Sequence, residues 1–318
     1  MTDGRAAPTL KCLEEAHIRI APHVHKTPIY RSSLLDSACN ARLHFKCENL
    51  QKVGAFKARG ACNAVFSLGD DAIAAGVATH SSGNHGAALA MAAASRGVQA
   101  HVVMPRNAPR AKRDAVAAYG ANIIDCDATL PAREAALKEL VERTGAEVVH
   151  PYNDARVIAG QGTVALEVLQ QVEDLDVLVV PVGGGGLLAG VAIAVKSLKP
   201  SVEVVAVEPA GADDAFRSFG LGRLVPQTSP NTIADGLRAG LGALNFSIIQ
   251  QHVNTILTVE ESTIIEAMKL QWSRLKTVVE PSGAVSFAGV LEHRERFRDR
   301  SVAVVISGGN LDLENLPW

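Results

Sequence analysis

The chain has 318 residues, 47% of them apolar and 20% charged, with a formal net charge of −2. This is the make-up of a globular protein long enough for two domains or one large one. The near balance of charge excludes the basic footprint of a nucleic-acid binder and the polybasic patch of a membrane-surface protein.

In chain order, Met1–Glu15 lacks the apolar run of a secretory signal. Asn84 is placed to cap a helix over His85–Arg96, which Gly97 ends. A strand over Gln99–Met104, a helix over Pro109–Tyr119 ended by Gly120, a strand over Asn122–Cys126 and a helix over Ala132–Thr144 follow. The second half reads helix Gly162–Gln171, strand Val177–Pro181, helix Leu187–Leu198 and strand Val202–Glu208. It continues, after a polar loop at Gly220–Asp235, with strand Thr255–Val259, helices Glu261–Leu275 and Gly283–His293, and strand Ser301–Ile306. The strands are Val- and Ile-rich and mostly apolar throughout, as strands of a parallel sheet buried on both faces are. Alternation with helices makes this an α/β chain of doubly wound type. Val177–Val195 runs 19 residues without a charge. Pro181 and four glycines in its middle make it strand, loop and helix start, because such a break in lipid leaves backbone groups unpaired. The five cysteines are odd in number and form no CxxC pair, which fits reduced thiols in a cytoplasmic compartment.

Four segments carry chemistry. Lys57 lies among Gly54, Phe56, Ala58 and Gly60, neighbours that desolvate an amine and favour its nucleophilic form. Alone it reads as an ordinary surface lysine. Ser81-Ser82-Gly83-Asn84-His85-Gly86 precedes a helix; it is either a polar cap or an anion site using the free N–H groups of the helix start. There Ser82 can exchange a proton and Asn84 can donate to a phenolate oxygen. Gly183–Gly186 follows an apolar strand and opens a helix, the arrangement that wraps a phosphate in backbone N–H groups. Ser307-Gly308-Gly309-Asn310 ends a buried strand, where ligands of open sheets collect. Its hydroxyl suits the pyridine nitrogen of pyridoxal phosphate without requiring that nitrogen to be protonated. Amine, polar loop, phosphate cradle and hydroxyl together describe a pyridoxal phosphate site. A rival reading uses Gly184-x-Gly186-x-x-Ala189 with Glu208, 19 residues beyond, as a dinucleotide fingerprint, and predicts an NAD-binding oxidoreductase. It leaves the other three segments without a purpose. The acidic run Glu208 to Asp214 is either solvent-facing or a Mg²⁺ or Ca²⁺ site.

The combination resembles the fold-type II (tryptophan synthase beta-like) pyridoxal phosphate enzymes, and within them the serine racemase and serine/threonine dehydratase family. The resemblance runs from Ala16-His-Ile to Ser307-Gly-Gly-Asn-Leu-Asp-Leu and includes His150-Pro151, Val157-Ile-Ala-Gly-Gln-Gly-Thr163, Thr232-Ile-Ala-Asp-Gly236 and Glu280-Pro281. It implies Lys57 as the Schiff-base lysine and base on one face, with Phe56 beside the ring and Asn84 on the phenolate oxygen. Gly183, Gly184, Gly185, Gly186 and Leu187 would hold the phosphate, and Ser307 would face the ring nitrogen. Ser81, Ser82, Asn84 and His85 would take the substrate carboxylate, with Arg133 joining when the site closes. Glu208, the Ala212 carbonyl and Asp214 match the family's divalent-cation site. Ser82, in Thr79-His-Ser-Ser-Gly-Asn-His-Gly86, follows the racemase form rather than the SAGN of many threonine dehydratases. A base on each face is what racemisation needs.

The resemblance thus implies L-serine to D-serine racemisation with serine/threonine dehydration. Its alternative is a dehydratase of L-threonine or threo-3-hydroxyaspartate with little racemase activity. Ala239 and Tyr152 differ from residues common in serine racemases and bear on that choice, and a distal carboxylate would call on Arg133 or Arg238. The expected organisation is a larger domain of residues 1–71 and 149–318 and a smaller, mobile one of 72–148. A homodimer and an ATP effector are further implications of the family.

Overall fold

The computed structural model describes residues 6–81, 83–108 and 110–318, the side chain of Ala111 excepted. Its strands are β1 (Ile29–Tyr30), β2 (Arg42–Cys47), β3 (Val77–His80), β4 (Ala100–Pro105), β5 (Asn122–Cys126), β6 (Glu147–Val148), β7 (Val177–Pro181), β8 (Glu203–Pro209), β9 (Thr255–Val259) and β10 (Ser301–Ile306). One six-stranded sheet has the order β1-β2-β10-β7-β8-β9 and is parallel except for β1. A four-stranded parallel sheet has the order β5-β4-β3-β6. Every residue of β7 and β10 is buried, because helices cover both faces of the larger sheet. Helices Ala155–Gln171 and Gly186–Leu198 pack on one face, and Glu261–Leu270 and Pro281–Glu292 on the other. The alanine-rich helix Asn84–Arg96 lies close against helix Lys57–Ser67 in the core of the smaller sheet.

The expected α/β architecture with parallel sheets is what the molecule has, and six predicted strands fall within a residue of β4, β5, β7, β8, β9 and β10. The uncharged stretch Val177–Val195 divides into β7, the glycine loop and a helix start. No helix among the described residues is long and apolar enough to cross a membrane. Three expectations need correction. Asn84 is the first residue of its helix; Gly83 is the N-cap, and the Asn84 side chain bonds elsewhere. The helix expected at Gly162 starts at Ala155, with the Asp154 carboxylate accepting from the Arg156 N–H. Its glycines serve close contact rather than a break: a Cβ on Gly160 would lie 2.6 Å from the Arg59 carbonyl oxygen. The helix expected over Glu261–Leu275 is α-helical to Leu270 and then a π turn over Gln271–Leu275. Pro109, expected to open a helix, lies outside the described residues, and that helix runs Arg110–Ala117.

A charged cluster locks helix Lys57–Ser67 to the larger sheet. The Arg59 guanidinium donates to both oxygens of Glu48 at 2.7 Å, and to those of Glu167 at 2.7 and 2.9 Å. Lys46 donates to Glu167 at 2.5 Å and to the Thr27 carbonyl at 2.8 Å. All four side chains are no more than 3% exposed. Two positive and two negative charges cancel, and bidentate geometry compensates for lost hydration. Burial pushes the Glu167 carboxyl up, but Arg59 and Lys46 more than offset it and hold it below its ordinary value. Removing one member leaves an unpaired buried charge. Arg59→Ala should therefore lower the urea-unfolding free energy by about 3–5 kcal/mol. Arg31→Ala, which breaks the exposed Arg31–Asp36 pair, should cost about 0–1 kcal/mol. Equal losses in the two variants would refute this account of the cluster.

Candidate active site

Lys57 opens its helix at the end of a short, constrained loop. Val53 and Gly54 both have positive φ, 56° and 67°, and the β-branched Val53 is an uncommon occupant of that region. The turn brings the loop against the segment after β10. Gly309 N–H donates to the Gly54 carbonyl at 2.9 Å, and Phe56 N–H donates to the Ser307 carbonyl at 3.1 Å. Asn310 completes the seam: its amide nitrogen donates to the Val53 carbonyl at 2.6 Å and to Asn84 Oδ1 at 3.0 Å. Lys57, Ser307 and Asn84, from three distant parts of the chain, therefore meet at one place.

The Lys57 amine donates to the Pro151 carbonyl at 2.9 Å and stands 5.0 Å from the centre of the Phe56 ring. Burial brings its pKa down to about 8. His80, His85 and His150 lie nearby and all titrate below their ordinary range, burial being the main cause; His150 falls to about 4. The His80 and His150 rings meet edge to face at 5.9 Å, and His150 meets Tyr152 in the same way at 4.6 Å. The Ser307 hydroxyl donates to the Ser282 carbonyl at 3.2 Å and is 4% exposed.

Gly183–Gly186 is buried between β7 and the 13-residue helix Gly186–Leu198. A Cβ on Gly184 would sit 2.4 Å from the Tyr152 ring, and Gly185 has φ +89°. The loop needs glycine at these positions. The Gly184 carbonyl is held by Gly242 N–H at 3.1 Å and by the Asn245 side chain at 2.6 Å. By contrast the N–H groups of Gly183, Gly184 and Gly185 reach no backbone carbonyl among the described residues. Buried free donors at a helix start fit a phosphate. With a low-pKa amine and a buried hydroxyl in the same region, the donor set fits pyridoxal phosphate.

Asn84 donates to Glu280 Oε1 at 2.9 Å. In the sequence, Glu280 stands out only as part of the family match at Glu280-Pro281. Burial, first, and the Asp235 charge raise its carboxyl to about 8, so it is predominantly protonated at neutral pH. Its one local signal is the Glu-Pro pair, in which Glu280 precedes the first turn of helix Pro281–Glu292. Ser81 accepts from Gly83 N–H at 3.4 Å, beside the helix start. Ser82 lies outside the described residues. Arg133, on helix Leu130–Thr144, donates to the Ala128 carbonyl at 3.0 Å, while its Nε is buried and has no partner among the described residues. Leu187 is buried in the first turn after the glycines.

Glu208, next to last in β8, caps helix Asp214–Leu221, accepting from the N–H groups of Ala215 and Phe216 at 3.1 and 2.9 Å. Burial raises its carboxyl to about 9. Asp214 accepts from Leu241 N–H at 2.8 Å, next to the Gly242 that grips the glycine loop. Ala212 is buried between them in the chain. Among the described residues no three His, Cys, Asp or Glu side chains form a metal cluster, so a cation here would need the Ala212 carbonyl and water as well. The dinucleotide reading fails on Glu208, which is fully buried and turned into the start of helix Asp214–Leu221, where a ribose does not reach it.

Comparison with known proteins agrees with this geometry. Residues 20–308 match the family described as "Pyridoxal-phosphate dependent enzyme". The chain is 50% identical to a serine racemase of Arabidopsis thaliana over 96% of this chain and 93% of that protein. It is 48% identical to a beta-hydroxyaspartate dehydratase of Paracoccus denitrificans over 98% and 99%. The structure of maize serine racemase superposes with a TM-score of 0.95 at 46% identity, covering 97% of this chain and 95% of that one. The chain is thus a fold-type II member of the pyridoxal-phosphate dependent enzymes, in the branch that contains amino-acid racemases and dehydratases.

Proposed function

We propose that this protein converts L-serine to D-serine and also dehydrates serine or threonine to a 2-oxo acid and ammonia. The observation that carries the reading is the meeting of Lys57, Ser307 and the helix start at Asn84 beside a glycine loop whose N–H groups are free among the described residues. The serine racemases of similar sequence and structure support the choice of substrate. Bound pyridoxal phosphate supplies a sink for the electron pair left when the substrate α-carbon loses its proton. Gly183–Gly186 and Leu187 hold its phosphate, Ser307 faces its ring nitrogen, and Asn84 bonds its phenolate oxygen with the amide proton that Glu280 leaves free. Lys57 takes or returns a proton at the α-carbon on one face, and Ser82 does so on the other. Free N–H groups at the start of helix Asn84–Arg96 hold the α-carboxylate. When the β-hydroxyl leaves, the same deprotonated substrate yields oxo acid and ammonia instead.

Residues 72–148 are proposed to move as a small domain, closing over the substrate and excluding water. Arg133 supports that role through an Nε without a partner among the described residues. Glu208, Asp214 and the Ala212 carbonyl are assigned to a Mg²⁺ or Ca²⁺ ion. Such an ion would steady Asp214, and through Leu241–Gly242 the phosphate cradle. Five free cysteines support a reducing, cytoplasmic setting, and the family supports a homodimer and an ATP effector. The second reading is a dehydratase of L-threonine or threo-3-hydroxyaspartate, favoured by the beta-hydroxyaspartate dehydratase relative.

The deciding assay follows D-serine and pyruvate together from L-serine, with L-threonine and L-threo-3-hydroxyaspartate in parallel. D-serine at a rate comparable to pyruvate is expected; oxo acid with no D-serine would establish the dehydratase. Lys57→Ala should abolish turnover of every substrate. Ser82→Ala should stop racemisation while sparing some dehydration, and an unchanged racemase rate would remove Ser82 as a base. Burial depresses the Lys57 pKa to about 8, so the neutral amine gains population as pH rises through that value. The rate of cofactor attachment, followed by absorbance, should be half-maximal near pH 8; a midpoint above about 10, the ordinary lysine value, would refute this. Chelation should lower both the melting temperature and cofactor retention, and unchanged values would argue against the ion.

A further inference from the structure

His85 stands in the first turn of helix Asn84–Arg96 and is 2% exposed. Its Nε2 lies 3.2 Å from the Val149 carbonyl oxygen. A carbonyl oxygen only accepts, so Nε2 carries the proton and donates. Burial, together with Lys57 nearby, keeps the ring neutral. In a neutral ring protonated at Nε2, Nδ1 is a bare lone pair. Nδ1 is buried and has no partner among the described residues. The ring's charged or titratable neighbours are the Lys57 amine, His80 and His150. A buried acceptor beside a substrate site is a specificity element, because any ligand that fails to donate to it leaves it unsatisfied.

We propose that His85 Nδ1 is the hydrogen-bond acceptor for an O–H or N–H donor of the bound amino acid, either its β-hydroxyl or its α-amino group. This rests on the function proposed above and refines it. The imidazole is then not a carboxylate ligand, since a lone pair repels a carboxylate. The carboxylate is left to the backbone N–H groups of the helix start. His85 instead makes the pocket select hydroxyl- or amine-bearing ligands over apolar analogues of the same shape.

The test compares kcat/KM for L-serine and 3-chloro-L-alanine in the parent, His85→Leu and His85→Asn holoenzymes. The chloride of 3-chloro-L-alanine replaces the hydroxyl donor while keeping the amine. If the hydroxyl is the donor, His85→Leu should lose roughly tenfold or more on L-serine and little on 3-chloro-L-alanine. If the amine is the donor, both substrates should lose equally. In either case His85→Asn, whose side-chain oxygen can stand where Nδ1 stands, should recover most of the loss. His85→Leu within about twofold of the parent on both substrates would overturn the proposal. The ¹⁵N spectrum of the histidine-labelled holoenzyme, with His85 assigned by its absence in His85→Asn, gives a readout without turnover. Nδ1 should appear unprotonated and Nε2 protonated, without titration between about pH 5 and 8; a protonated Nδ1 would overturn the proposal even if His85→Leu fails to fold. A parent inert toward L-serine would overturn the proposed function instead, and the spectrum would still read His85.

Discussion

The salt-bridge cluster of Arg59, Glu48, Glu167 and Lys46 is the constraint on which the site rests. Arg59 lies two residues beyond Lys57, in the first turn of the same helix. Its guanidinium is shared between Glu48, just beyond β2, and Glu167, on helix Ala155–Gln171. A guanidinium held in a fork at both ends allows little rotation or sliding of the helix that carries it. An apolar contact at the same place would tolerate repacking. Lys57 is flexible along its own side chain, but its Cα is fixed relative to the Glu48 segment and to helix Ala155–Gln171, whose Gly160 lies against the Arg59 backbone.

Around that fixed point the protein assembles bases and withholds their protons. Lys57, His80, His85 and His150 are all driven toward neutral forms by burial. Glu280 is driven toward its neutral acid by the same cause. The result is a pocket whose own titratable groups carry little charge, so the phosphate and carboxylate of its ligands become the main charges within it. On the function proposed above, the glycine loop would answer the first with free N–H groups, and the helix start at Asn84 would answer the second.

Much of this was legible in the sequence, where the signal is local. β7 and β10 are apolar at nearly every position, so their strands were found. Glycine at 183–186 and the Ser-Gly-Gly after β10 announce a cradle because few other residues could adopt those shapes. β2 was missed because Arg42, His44 and Lys46 break its apolar pattern. Lys46 is nevertheless buried, paired with a Glu167 that is 121 residues away. The start of helix Ala155–Gln171 was missed because Gly160 and Gly162 resemble breaks until their close neighbours are seen. The Glu280–Asn84 bond spans 196 residues, and the lysine's acceptor is a backbone carbonyl. Neither leaves any trace in the order of side chains.

The strand order has a consequence for synthesis. β10 is the last strand of the chain, yet it lies between β2 and β7 in the middle of the larger sheet. Until it leaves the ribosome, β2 and β7 lack their shared neighbour, and the Lys57 loop lacks the partners it has in Ser307, Gly309 and Asn310. A nascent chain can close the four-stranded sheet early, because residues 77–148 are contiguous. The pocket around Lys57 can close only once β10 and the segment after it have emerged. A product truncated before β10 would therefore have a folded four-stranded sheet without a finished Lys57 loop.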